Sequence, residues 1–213
     1  MPETKKRIPK RPPTICQFKI SLLGISPTIW RRILVPESYT FWDLHVAIQD
    51  AMGWLDYHLH QYRIFDFFTE EIVQFGIPFD DIGDDGIEPS WDAEIDAYFI
   101  DPGDEGIYEY DFGDGWQHEV LLEGVFLGEI GVKYPKCIGG EMACPPEDCG
   151  GIGGYENLLN ILKNPKDEEH EFMVDWLKSH EKKYYPFDPA AFDAEKVRFD
   201  NPKKRWRQAF SDT

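Results

Sequence analysis

The chain has 213 residues, 42% hydrophobic and 15% aromatic, enough to pack a core within a single domain. Its net charge of −18 is unevenly spread: setting aside the +4 of residues 1–13 and the +3 of residues 203–213 leaves −25 between them. A body so acidic repels a phosphate backbone, and no apolar run approaches the ~20 residues of a membrane span. Nucleic acid and membrane are therefore not expected partners. Residues 1–13 are basic and proline-rich without the apolar centre of a secretory signal, so a flexible tail and a cytoplasmic location are expected.

Residues 15–23 and 29–35 read as two strands joined by a turn at Ser26-Pro27, with Arg31 and Arg32 expected as outward or edge residues of the second. Residues 40–53 form the clearest helix. Thr40 and Asp43 make a capping pair, Gly53 supplies a stop, and Phe41, Leu44 and Ile48 share one face. A hairpin followed by a packed helix is the grasp-like start of an α+β domain. Another strand is expected from about residue 56 to 68; if it is extended throughout, His58 and His60 lie on one face.

Between Arg63 and Lys133 there is no Lys or Arg, while twenty Asp and Glu occur. Asp80–Gly86 resembles a calcium loop only superficially, lacking the D-x-D-x-D-G spacing. Residues 95–100 are expected to pack inward. Then Tyr108–Glu119, YEYDFGDGWQHE, alternates apolar and polar side chains on both sides of Gly113-Asp114-Gly115, a hairpin at the centre of the sheet. Residues 134–155 hold six glycines, three prolines and three cysteines, and are expected to form an ordered, irregular loop. Helices follow from Tyr155, from an Asp167 cap through Ser179 with Phe172, Met173, Trp176 and Leu177 inward, and from Pro202 with Asn201 as cap.

The chemistry-bearing residues gather in two stretches. On the hairpin they are Asp111, Asp114, Trp116 and His118; on the loop they are Glu147, Asp148 and Tyr155; His58 and His60 stand at the rim. Cys137, Cys144 and Cys149, spaced C-x6-C-x4-C, are metal candidates with His118, or one of His58 and His60, as a fourth ligand, zinc being the ion that thiolates suit. The same thiols serve equally as buried structural groups. No G-x-S-x-G, P-loop or dinucleotide fingerprint is present.

Together, Ile29-Trp30-Arg31-Arg32, the stretch from Leu44-His45 to Gly53-Trp54, and His58-Leu59-His60 resemble the plasmid pRiA4b ORF-3-like family. So do Tyr110–Glu119, Ala143–Gly151 with Gly154-Tyr155, and Phe187-Asp188-Pro189. The resemblance implies a compact α+β domain over roughly residues 15–200, and some members carry a transposon-resolvase or transposon-passenger label. The acidic body and the lack of a serine set among arginines argue against a recombinase or other DNA-associated mobile-element protein. The expected organisation is a basic tail at 1–13, one domain with a mixed or antiparallel sheet over 14–200, and a basic C-terminal helix at 201–213. The expected function is binding of a protein partner or small ligand at the 108–119 hairpin and 137–155 loop. The alternative is a metal-dependent, hydrolase-like enzyme using the same surface, and the third and least favoured reading is a DNA-associated mobile-element protein that binds through its basic tails.

Overall fold

The computed structural model describes residues 11–78 and 86–210. Most of the basic tail, and most of the Asp80–Gly86 stretch, lie outside the described residues. The elements are β1 (Thr14–Leu22), β2 (Trp30–Pro36), α1 (Phe41–Met52), β3 (His60–Asp66), β4 (Glu71–Gly76) and β5 (Ile87–Pro89). They continue with β6 (Glu105–Tyr110), β7 (Trp116–Leu127), β8 (Lys136–Glu141), α2 (Gly151–Lys163), α3 (His170–Ser179) and α4 (Pro202–Phe210).

The eight strands form one sheet in the order β5-β4-β3-β6-β7-β1-β2-β8, antiparallel except where β4 meets β5. The fold is α+β with a mixed sheet, and it begins with the hairpin and helix expected of a grasp-like layout. One face of the sheet is apolar: Phe18, Ile20, Ile33, Val35, Tyr62, Ile64, Val120 and Leu122 are buried, and α1 adds Phe41, Leu44 and Ile48 to the same core. The other face carries ion pairs between Arg32 and Glu123 and between Arg63 and Glu109. Each fully buried Phe or Ile contributes about 1.5–3 kcal/mol, whereas such surface pairs contribute at most about 1 kcal/mol. The inner face holds the sheet together.

Helix α1 starts and stops as its sequence demands. Asp43 N donates to Thr40 Oγ1 at 3.2 Å and Thr40 N donates to Asp43 Oδ2 at 3.3 Å. Gly53 ends the helix at φ 92°, a left-handed geometry that costs glycine nothing in steric terms. At the other end of the chain, Lys204 N donates to Asn201 Oδ1 at 3.1 Å, the N-cap expected of α4.

Four expectations need correction. Arg31 and Arg32 do not both face outward, because neighbours on a strand point to opposite sides of the sheet; Arg31 is buried under α1. Residues 134–155 are not wholly irregular, since β8 pairs with β2 at the sheet edge and α2 begins at Gly151, ahead of Tyr155. Helix α3 starts at His170; Val174 and Leu177 are its buried residues, and Phe172 is 67% exposed. Ile95 and Phe99 are buried, but Ile100 is exposed. Among the described residues, no helix is long and apolar enough to cross a membrane.

Candidate functional site

The turn between β6 and β7 closes when Gly115 N donates to Asp111 O at 2.6 Å. Asp111 Oδ1 then accepts from Gly113 N at 2.9 Å and from Asp114 N at 3.3 Å, so that oxygen is committed to the turn. The other oxygen, Oδ2, lies 3.6 Å from His58 Nε2. Asp148, on the loop before α2, brings Oδ1 to within 2.9 Å of the same nitrogen. A further bond, Gly150 N to Asp114 Oδ2 at 3.1 Å, ties this loop to the turn. Each of the three residues offers one ligand atom, and these atoms all lie within 4.8 Å of one another; no other group of three His, Cys, Asp or Glu side chains among the described residues does so.

The backbone at these positions is unusual. Six non-glycine residues among those described have positive φ, and three are Asp56 at 63°, Asp111 at 56° and Asp148 at 60°. Aspartate tolerates this left-handed region better than most residues, and such conformations concentrate where function constrains the chain. His58 also lines a cleft of about 780 Å³, whose other walls include His45, Asp56, His60 and Arg205.

The remaining candidates lie beneath this surface. Both oxygens of buried Glu147 are taken: Tyr110 donates to Oε1, and Leu55 N donates to Oε2 at 2.6 Å. Glu147 thus anchors the loop to β6 and to the segment after α1. Trp116 and Tyr155 are core residues, packed near Trp54 and Phe187. His60 does not share a face with His58, because β3 begins only at His60; its ring is buried and stacks on His45 at 3.6 Å. His118 is fully buried on β7, and among the described residues neither its ring nitrogens nor those of His60 find hydrogen-bond partners.

The cysteines are all free. Cys137 Sγ donates to Gly139 O on its own strand at 3.4 Å. Burial pushes the Cys149 thiol up to about 12 and raises Cys144 as well, where the field of Arg31 opposes the shift. Thiols held protonated in this way are poor nucleophiles.

One network was not apparent from the sequence. Arg205 on α4 donates from Nη1 to Asp56 Oδ2 at 3.0 Å, and from Nη2 to Asp50 Oδ1 and Asp200 Oδ2, each at 2.8 Å. Asp56 Oδ1 lies 2.8 Å from His45 Nε2, and His45 Nδ1 lies 2.8 Å from the Tyr108 hydroxyl, which accepts from Gln49 at 2.9 Å. Where Tyr108 donates to Nδ1, the ring hydrogen of His45 sits on Nε2 and faces Asp56. Burial opposes the charge on Asp56, but His45 and Arg205 outweigh it and hold the carboxyl below its usual range. The sequence does contain a signal for this. His45 and Gln49 occupy stripe positions beside Leu44 and Ile48, where α1 otherwise presents apolar side chains to the core.

Three comparisons bear on this architecture. The family model described as plasmid pRiA4b ORF-3-like protein matches residues 14–196. The uncharacterized protein y4hQ of Sinorhizobium fredii is 32% identical over 163 residues, covering 76% of this chain and 80% of that protein. The crystal structure of MM3350 from Methanosarcina mazei Go1, described as a protein of unknown function, superposes with a TM-score of 0.78 at 40% identity. That match covers 88% of this chain and 99% of the other.

Proposed function

Since the chain belongs to the plasmid pRiA4b ORF-3-like family, whose relatives here supply no activity to transfer, we propose from site geometry that it is a cytoplasmic binding domain working through a divalent cation. His58, Asp111 and Asp148 would hold the cation, and a small polar ligand would complete its coordination from the adjoining cleft. The binding unit is residues 14–200, with α4 (Pro202–Phe210) packed against it as an appendage.

The supporting observation is the convergence of three ligand atoms from three distant segments. Donors about 2.0–2.2 Å from one ion lie about 3–3.6 Å from each other at the angles of four- to six-coordinate sites. The separations of 2.9 and 3.6 Å measured from His58 Nε2 match that spacing. One imidazole and two carboxylates suit manganese, iron(II) or zinc. Three protein ligands leave positions open, the pattern of sites that take a substrate or a water, and this favours metal-assisted hydrolysis as the second reading of the same residues.

The test is mass-spectrometric metal content, followed by calorimetric titration of Zn²⁺ and Mn²⁺ into chelator-stripped protein. One saturable site per chain is expected, lost in His58→Ala and in Asp111→Asn, which keeps the turn's hydrogen bonds, and retained in Cys137→Ser. No saturable binding, or binding unchanged in both site variants, overturns the proposal. Turnover of phosphate or carboxyl esters by the loaded protein would select the hydrolytic reading over simple binding.

A further inference from the structure

Arg31 is 1% exposed and, among the described residues, is a buried cation without a counter-ion. Its Nε donates to Ala51 O at 3.0 Å, and its Nη1 donates to Trp30 O at 2.8 Å and Glu141 O at 2.9 Å. The ring centroid of Phe192 lies 3.8 Å from Cζ. Among the described residues, no carboxylate pairs with this guanidinium and nothing accepts from Nη2. In a chain with 40 Asp and Glu that is anomalous: Arg32 next door pairs with Glu123, and Arg205 contacts three carboxylates.

Ala51 lies in the last turn of α1, whose carbonyl end supplies about half a negative charge. The balance is unmet, and an uncompensated buried charge costs several kcal/mol. Nη2 is left without an acceptor among the described residues, and Arg31 lines a cleft of about 940 Å³. Three further cations, Lys182, Lys196 and Arg198, line that cleft with Asp50, Asp188 and Asp193. Of these, Lys196 pairs with Asp193, Asp50 is one of the carboxylates that share Arg205, and Asp188 accepts from the backbone N of Ala190. Among the described residues Arg198 donates only to the carbonyls of Glu195 and Val197, through Nη1. With Arg31 the lining holds four cations against three carboxylates, an excess of one positive charge in a strongly acidic molecule. Trp54, Phe187 and Phe192 give it an aromatic wall.

We propose that this cleft binds a small organic oxyanion, its charged oxygen on Nη2 of Arg31 and its apolar part against the aromatic wall. Only one amino group of the guanidinium is free, so recognition is of a single oxygen rather than the two-pronged grip of an unencumbered arginine. Lys182 and Arg198, at the exposed rim, add attraction and partner the remaining oxygens. This site is independent of the proposed cation site, none of whose three residues lines the cleft.

The experiment is calorimetric titration of the full chain, stripped of metal and then desalted free of chelator, with phenyl phosphate, benzoate, inorganic phosphate and the cation benzamidine. Saturable binding of phenyl phosphate or benzoate is expected, with benzamidine inert. Binding of benzoate but not phenyl phosphate assigns a carboxylate, and the reverse assigns a phosphate; inorganic phosphate alone overturns the role of the aromatic wall. Arg31→Met removes the central cation, but the fold itself leans on that residue. The decisive variants therefore lie at the rim. The double variant Lys182→Ala with Arg198→Ala should weaken binding about tenfold, and Ala191→Trp, at an exposed position on the cleft, should abolish it. No saturable anion binding, an equal response to benzamidine, or affinity unchanged in both rim variants overturns the proposal.

Discussion

Lowering the pH from about 7 to about 4.5 should destabilise the wild-type fold through His118 by an amount that His118→Leu does not share. The ring is fully buried and neither nitrogen is hydrogen-bonded. Burial, reinforced by the positive field of Arg31, pushes its pKa down to about 3; backbone groups of Tyr108 and Trp116 favour the charged ring but lie outside hydrogen-bond geometry. An unfolded histidine titrates near ~6.5. The folded value is the lower one, so the unfolded chain takes up its proton first. Stability that is complete above ~6.5 is therefore lost as the pH falls toward the folded value. At about pH 4.5, two units below the unfolded pKa, the loss from this residue is about 2.6 kcal/mol. That is a large share of the roughly 5–15 kcal/mol that holds a typical domain together. Urea denaturation of both proteins across this range isolates the term, because the carboxylates contribute alike to each. His118→Leu should retain about 2.6 kcal/mol more of its neutral-pH stability. At about pH 7 it should match or exceed the wild type, since it removes an unsatisfied buried donor that costs about 1–3 kcal/mol. Parallel stability curves for the two proteins would refute the reasoning. His60, whose pKa burial also lowers, supplies part of the acid sensitivity that remains in the variant.

Two further substitutions probe the supports of the site. A Cβ on Gly154 would stand 1.9 Å from the carbonyl oxygen of Cys149, so Gly154→Ala must displace the backbone next to Asp148. A loss of about 1–3 kcal/mol in denaturant melts is expected, with weaker cation binding by calorimetry; an unperturbed variant would deny the close approach. Arg205→Met leaves Asp50 and Asp56 without their cation and should cost about 2–3 kcal/mol, between the values for exposed and buried pairs. Calorimetric melting should then fall by about 5–10 °C, while Arg32→Met, which breaks only the outer-face pair, should shift it far less. Equal shifts in the two variants would contradict the network.

Local signals were legible wherever the chain interacts with its near neighbours. The Thr40–Asp43 cap, the Gly53 stop, the Asn201–Pro202 start and the alternation about Gly113-Asp114-Gly115 all appear where their chemistry places them. What was hidden depends on distant contacts. β8 contains Gly139 and Gly140 and lacks alternation; it is a strand because β2 pairs with it. His58 and His60 were separable only once the start of β3 was known, as the period-2 rule does not extend into the coil before it. Arg205 meets Asp56 across 149 residues, which no spacing within a helix or hairpin could reveal. The burial of Arg31 follows from pairing it with Arg32 on one strand. Two adjacent strand residues cannot both face water when one side of the sheet is covered.

The position of β7 governs how this molecule comes together. It pairs with β6 along one edge and with β1 along the other, and is the seam between β1–β2 and the β3–β4–β6 group. β1–β2 and β3–β4 close over short turns and β3 meets β6 across roughly 40–50 residues, but the β1–β7 ladder joins residues roughly a hundred positions apart. The entropy of closing so long a loop is lost before any contact across it offsets the cost, which slows folding. A chain cut short before β7 is left with two unjoined sheets, and the edges of β1 and β6 are open to strands from other molecules.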